Sequence, residues 1–119
     1  RQILAILEQS ATNLRPADDV DRVGGLIQTS GLQWTIDLRQ PSAHRISEVY
    51  VGARALDESM SYSVMTNGGL LQGTHRQATF AEGSDIVRDE RSFAAVLEQG
   101  VRAMGTVHAP APGAVTVLR

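Results

Sequence analysis

The feature that most constrains the fold is a regular alternation of apolar and polar residues over residues 32–38, LQWTIDL. One side of this segment carries only apolar residues: Leu32, Trp34, Ile36 and Leu38. A repeat of two is the repeat of a β-strand, because successive side chains of a strand point to opposite faces of the sheet. The segment is therefore predicted to be a strand whose apolar face packs against a helix or a second sheet. Trp34 is interpreted as a packing residue.

Other segments show shorter strand patterns. Residues 44–53, HRISEVYVGA, alternate after a short polar turn, which predicts an antiparallel hairpin or meander with Ile46 and Val49 on opposite sides. Residues 62–66, YSVMT, alternate again. Residues 115–118, VTVL, are expected to form the last strand, and residues 26–29, LIQT, are short and β-prone.

Two segments have the spacing of amphipathic helices. Residues 1–14 place apolar residues at positions 3, 4, 7, 11 and 14, and residues 89–104 place Phe93, Leu97 and Val101 on one face. Few helices and meandering strands favour the α+β class over a parallel βαβ fold. We expect one domain over residues 1–119. Because the helical pattern begins at residue 1 without Met or a cap, the chain is interpreted as an N-terminally truncated piece of a longer protein.

Composition excludes several classes of function. The formal net charge is −2, which gives no electrostatic attraction for nucleic acid. The sequence has no Cys, so disulfides, thiolate catalysis and zinc–thiolate sites within the chain are excluded. No apolar run approaches the ~18 residues of a membrane span.

The sequence lacks the residue patterns of catalysis. No two of the 3 His residues stand at the helical i+3 or i+4 spacing of a zinc motif. Neither a G-x-S-x-G nucleophile motif nor a P-loop is present. The residues alone therefore indicate a binding or scaffolding domain without a catalytic residue, a metal site or a cofactor of its own.

The candidate ligand site is a glycine-rich loop after the segment 62–66. Asn67 and two glycines follow that segment, and Gly73 opens the polar loop 73–77, GTHRQ. Loops held on a rigid scaffold carry much of the binding chemistry of proteins. His75 beside Arg76 is expected to donate hydrogen bonds to a phosphate or a carboxylate. The alternative is that His75 is a solvated loop residue.

Four segments, in order, resemble the C-terminal domain of the 5′-nucleotidase family of two-domain metallophosphoesterases. The first is a helix ending in LEQS at residues 7–10. The second is GGLIQTSGL at residues 24–32, which is similar to the family's GGFLQVSGL. The third combines RI at residues 45–46, VGARALD at residues 51–57 and YSV at residues 62–64.

The fourth segment runs from Thr66-Asn67 to residues 73–80, where the family has T-N-D-F-L-A-A-G-G-D-G-Y-x-M-F. By position, Asn67 matches the Asn at the end of the family's strand, and Gly73 matches the first Gly of its loop. The resemblance therefore implies that Asn67, Gly73, His75, Arg76, Gln77 and Phe80 contact the substrate. It covers nearly the whole chain.

The resemblance also implies a fold, a partner and a location. The fold would be a layered α/β/β/α sandwich of mixed or mainly antiparallel strands with two helices packed on it. The domain would hold the nucleoside part of a nucleotide while an N-terminal metallophosphoesterase domain of the same protein supplies two metal ions and the catalytic His. The protein would be a bacterial hydrolase of nucleotide catabolism, periplasmic or extracellular.

The loop departs from the family's pattern at four positions. Thr74, His75 and Arg76 replace the second Gly, the Asp and the third Gly, and Gln77 replaces an aromatic residue. Gln hydrogen-bonds a base edge but provides no stacking face, and Phe80 is the nearest ring. Two alternatives follow: the C-terminal domain of a thiosulfohydrolase of sulfur oxidation, which shares the two-domain plan without a nucleoside, or a non-catalytic interaction module that retains the fold.

Overall fold

The computed structural model describes residues 1–109 and 113–119. The chain divides into two compact units, one formed by residues 1–82 with 113–119 and the other by residues 83–112. None of the helices in the described ranges is long and apolar enough to cross a membrane.

Helix α1 spans Gln2–Leu14, as its apolar stripe predicts. Its inner face buries Leu7 and Ala11. The helix ends just before Pro16, which disfavours a helical conformation at the residue preceding it. The buried Arg45 guanidinium then donates to the carbonyl oxygens of Arg15 (2.7 Å) and Ala11 (3.4 Å). A cation at this end of a helix also complements the helix dipole.

The first unit contains a 4-stranded sheet with the order β3-β2-β1-β4. Its strands are β1 (Leu32–Asp37), β2 (Ile46–Val51), β3 (Arg54–Ala55) and β4 (Val115–Leu118). Strand β1 pairs antiparallel with β2 and parallel with β4, so the sheet is mixed. The α+β class is thereby confirmed, as are the strands predicted within residues 32–38, 44–53 and 115–118.

The core lies between α1 and one face of this sheet. Its buried members are Leu7, Ala11, Trp34, Ile36 and Val49. Trp34 is 2% exposed, which confirms it as a packing residue, and its Nε1 donates to Thr29 Oγ1 at 3.4 Å.

A β-bulge in β2 changes which residues of that strand face the core. The pairing runs from Gln33↔Tyr50 to Thr35↔Ser47, so β2 has one residue more than β1 over this interval. Glu48 takes a left-handed conformation there, with φ 51°. Val49 and Ile46 therefore both pack on the core, although strict alternation puts them on opposite sides.

Two predicted strands are absent from the described residues. Residues 62–66 have no ladder partner, and Met65 is 95% exposed. In residues 26–29, the Ile27 N–H donates instead to Ser10 Oγ of α1 at 2.8 Å. Alternation alone does not form a strand, because the backbone groups of a strand must pair with a neighbour. A short helix not predicted from the sequence, α2 (Gly68–Leu71), follows Asn67.

The second unit contains helix α3, Phe93–Met104. It begins four residues later than residue 89, because Ser92 Oγ accepts the N–H of Ala95 (3.2 Å) and caps the first turn. Asp89 instead pairs with Arg91 at 2.5 Å. The hydrogen bonds from Arg91 lower the pKa of Asp89 to about 2.

Candidate functional site

The site begins at Asn67, the residue that ends the extended segment before α2. Asn67 Oδ1 accepts the Leu70 N–H at 3.1 Å and so caps α2. The side-chain oxygen is therefore engaged within the chain, which leaves the Nδ2 amide as the group that Asn67 offers to a ligand.

The loop that follows has an unusual backbone. Gly73, His75 and Arg76 all have left-handed φ values, of 81°, 57° and 59°. The left-handed region is unfavourable for residues that have a Cβ, so other contacts must hold His75 and Arg76 there. One such contact is the Asn13 Nδ2 amide of α1, which donates to the His75 carbonyl oxygen at 2.7 Å.

Side chains of the loop bind the chain segment before Leu26. His75 Nδ1 lies 2.5 Å from the Val23 carbonyl oxygen. Because a carbonyl only accepts, Nδ1 carries the hydrogen of this contact. The Arg76 guanidinium donates to Asp21 Oδ1 at 2.7 Å, and both of these side chains are about half exposed.

These contacts border a pocket of about 200 Å³. It lies between α1, the glycine-rich segment 24–27, and residues 67–77, which comprise Asn67, α2 and the loop that follows α2. The residues lining it come from all three elements: Asn13, Gly25, Leu26, Ile27, Asn67, Leu70, His75 and Gln77. The structure thus brings together three of the residues expected at the site, Asn67, His75 and Gln77. Gly73, Arg76 and Phe80 are not among the residues that line this pocket.

Sequence reasoning missed the contribution of α1. Asn13 is 2% exposed, its Oδ1 accepts from Gln9 Nε2 at 2.8 Å, and its amide holds the loop. The signal was present in the sequence: Ser10 and Asn13 are polar residues three positions apart beside an apolar helical stripe, where buried polar groups need partners.

Gln77 is the most buried polar residue of the loop, at 3% exposure. Its Nε2 amide donates to the Ile6 carbonyl oxygen at 3.3 Å. Its Oε1 has no hydrogen-bond partner in the described part of the chain. The assignment of the two amide atoms follows from this network, because only the nitrogen can donate to a carbonyl. Gln77 therefore has one free acceptor next to the pocket.

Among the described residues that line the pocket there is no Ser, Thr, Tyr, Asp, Glu or Lys. Within residues 1–109 and 113–119 no group of three or more His, Asp and Glu side chains is arranged to hold a metal ion. The arrangement of amides, one imidazole and apolar side chains can bind and orient a ligand, but it provides no general base with an adjacent nucleophile.

The chain matches a family model and is similar to a solved structure. The model of the family described as 5′-nucleotidase, C-terminal domain, matches residues 1–82, a range that contains every residue lining the pocket. Among solved structures, the chain is similar to the sulfate thiohydrolase SoxB of Thermus thermophilus in complex with glycerol, at 27% identity and a TM-score of 0.71. That match covers 98% of this chain and 20% of SoxB, so the chain spans about a fifth of that protein. No curated protein matches the chain.

Proposed function

Because the chain belongs to the 5′-nucleotidase C-terminal domain family, we propose that it is the substrate-binding domain of a metal-dependent phosphoester hydrolase of the 5′-nucleotidase type. Its pocket would hold the nucleoside part of the substrate. A separate N-terminal metallophosphoesterase domain of the same protein would carry out the reaction, in a periplasmic or secreted bacterial enzyme.

Two segments that are far apart in the sequence line the same pocket, and this observation is the main support for the proposal. Residues 24–32 and residues 66–80 resemble the family separately in sequence. Gly25, Leu26 and Ile27 from the first segment line the same pocket as Asn67, His75 and Gln77 from the second.

The chain would position the substrate for a reaction that takes place in the other domain. Divalent metal ions in the other domain would polarise the phosphoryl group and activate water. The residues of this pocket would bind the part of the substrate that does not react. Binding of that kind orients the reacting group and lowers the entropic part of the barrier.

The likeness to SoxB supports a second candidate, a thiosulfohydrolase-like enzyme. No Phe, Tyr or Trp occurs among the described residues that line the pocket, so a base would find no stacking face there. A substrate that contains no nucleobase does not need an aromatic side chain in the pocket wall, so the lining is compatible with such a substrate. The two candidates differ in product, because one releases phosphate and the other releases sulfate.

The test is to assay the full-length protein with divalent metal. We expect phosphate release from at least one member of a panel of 5′-nucleotides and cyclic nucleotides. Sulfate release from an S-sulfonated thiol, without phosphate release, would favour the second candidate. Release of neither product would overturn both and favour the non-catalytic module.

A variant pair ties the activity to the pocket. A Cβ at Gly25 meets nothing within 4 Å, so Gly25→Leu fills the pocket without a clash at its base. We expect a raised KM with little change in kcat, because uniform binding is lost. Gly100→Leu, also at an open position but in the second unit, is the control and should leave KM unchanged.

A further inference from the structure

The two asparagines of the chain differ in exposure and in the residue that follows each of them. Asn13 lies inside α1, is 2% exposed and precedes Leu14. Asn67 is exposed and precedes Gly68, at the junction between an extended segment and the first turn of α2. Because glycine has no Cβ, its peptide nitrogen approaches the side chain of the preceding residue with little steric hindrance. Asn67 therefore stands where the backbone is able to attack the side-chain amide of an asparagine.

The peptide nitrogen of Gly68 is not engaged in the fold. Gly68 is the first residue of α2, and the first N–H groups of a helix have no carbonyl of their own helix to bind. The Gly68 N–H donates to no backbone carbonyl in the described part of the chain. A Cβ at Gly68 would meet nothing within 4 Å, so the peptide also has room to move. No backbone hydrogen bond at this nitrogen has to break before it reaches Cγ of Asn67.

The backbone around Asn67 is held weakly. Its φ of −88° and ψ of 160° are extended, and the attack requires ψ to rotate so that the Gly68 nitrogen turns towards Cγ. Residues 62–66 have no ladder partner and α2 has only 4 residues, so this rotation disturbs one short turn. Asn67 Oδ1 accepts the Leu70 N–H at 3.1 Å. A donor on that oxygen favours the negative charge that Oδ1 gains when a nucleophile adds to Cγ.

We propose that Asn67 is a site of spontaneous deamidation, with the backbone nitrogen of Gly68 as the nucleophile. The nitrogen forms a bond to Cγ, the bond between Cγ and Nδ2 breaks, and Nδ2 leaves as ammonia with the proton that the Gly68 nitrogen gives up. The product is a five-membered succinimide ring. Water then adds to one of the two ring carbonyls. Opening at Cγ gives an aspartate at this position, and opening at the main-chain carbonyl gives an isoaspartate, whose main chain runs through Cβ and Cγ.

Deamidation would change the pocket wall. The Nδ2 amide, which Asn67 offers to a ligand, is lost, and a carboxylate enters a wall that has no Asp, Glu, Arg or Lys among its described residues. A carboxylate repels an anionic group such as a phosphate. The isoaspartate also lengthens the main chain at the cap of α2. The covalent step does not depend on the proposed function, whereas its effect on activity does.

The test is peptide mapping by mass spectrometry of the full-length protein after native incubation in mildly alkaline buffer. We expect the peptide with Asn67 to gain, over time, the mass difference between an NH2 and an OH group, and the peptide with Asn13 to keep its mass. Gly68→Ala should slow the gain by at least about fivefold, because Ala restricts the attacking peptide more than Gly. Gly25→Ala, also at an open position, is the matched control and should leave the rate unchanged.

A constant mass of the Asn67 peptide in the native protein, with a mass gain in urea, would show that the fold protects the site and would overturn the inference. Equal rates in the wild type and in Gly68→Ala would overturn the assignment of the nucleophile. The wild-type measurement needs no variant, so it decides the inference even if Gly68→Ala does not fold. Deamidation of a protein that releases neither phosphate nor sulfate would leave this inference standing and remove the proposed function. Phosphate release by a protein that does not deamidate at Asn67 would do the reverse.

Discussion

The core beneath α1 and the loop 73–77 are held by different kinds of contact. In the core, Leu7, Trp34 and Ile36 are at most 2% exposed and pack through apolar surface. The loop contributes little to that core and is fixed by hydrogen bonds, from Asn13 to the His75 carbonyl and from His75 to the Val23 carbonyl. The core therefore sets the stability of the first unit, whereas the polar contacts set the shape of the pocket.

The largest expected effect is in the core. Trp34→Ala should lower the free energy of unfolding by about 3–5 kcal/mol, because it removes a large buried side chain and leaves a cavity. Urea denaturation followed by circular dichroism measures the loss. Tyr50→Ala on β2, where the side chain is 41% exposed, is the control and should cost much less. Similar losses for the two variants would contradict the assignment of the core.

The next effect is at the contact between the loop and the glycine-rich segment. A Cβ at Gly24 would lie 2.5 Å from His75 Nδ1, whereas a Cβ at Gly25 meets nothing within 4 Å. Gly24→Ala should therefore displace the imidazole and destabilise the protein by about 1–3 kcal/mol, the usual cost of overpacking. Gly25→Ala is the matched control and should change stability by no more than about 0.5 kcal/mol.

Amide hydrogen exchange locates the damage caused by Gly24→Ala. Faster exchange at the amides of the loop 73–77, with unchanged exchange at Thr35 and Ile36, is the expected pattern. Equal stability of the two glycine variants would show that the His75 ring is not held against Gly24.

The pairing of Arg76 with Asp21 should contribute less. Both side chains are about half exposed, so a double-mutant cycle with Arg76→Gln and Asp21→Asn should give a coupling of about 0.2–1 kcal/mol. Raising the salt concentration to 1 M should reduce the coupling, because exposed charges are screened. A coupling free energy that does not change with salt concentration would contradict the assignment of an exposed ion pair.

The smallest effect is a dependence of stability on pH. The hydrogen bond from the Arg39 guanidinium holds the pKa of Asp37, just after the core residue Ile36, well below its ordinary value of 3.8. A lowered pKa in the folded state stabilises the protein above pH 3.8, and this contribution is lost as the pH falls through the folded-state pKa. Asp37→Asn should therefore flatten the decline of the urea midpoint below about pH 5.

The control for that titration is Asp85→Asn. Asp85 is exposed in the second unit and makes no hydrogen bond among the described residues. Its replacement should leave the acid decline unchanged. If the Asp37 and Asp85 variants gave the same curve, the pairing of Asp37 with Arg39 would have no thermodynamic effect.

The core and the loop also differ in how far the sequence predicts them. Apolar periodicity correctly located α1, β1, β2 and β4, and it identified Trp34, because burial repeats with the period of the element. It was wrong for residues 62–66, since a strand also needs a neighbour with which to pair, and the pattern carries no information about that neighbour. The sequence did not predict that Ile46 and Val49 of β2 lie on the same side of the sheet. The bulge at Glu48 adds one residue to β2, and no residue pattern in the sequence indicates it.

The site was only partly predictable for a related reason. A glycine-rich loop pointed to Asn67, His75 and Gln77, which line the pocket. Asn13 was not expected there, because its contact with His75 joins residues 62 positions apart. Which loop side chains bind other parts of the chain, as Arg76 does, and which remain free, as Gln77 Oε1 does, depends on contacts that only the folded chain brings together.

The most direct test of this account is the crystal structure of the full-length protein with a bound nucleoside. We expect part of the nucleoside to lie in the pocket between Asn67, His75 and Gln77. A nucleoside bound elsewhere, with only water in this pocket, would contradict the central claim that the two family segments converge to form the substrate site.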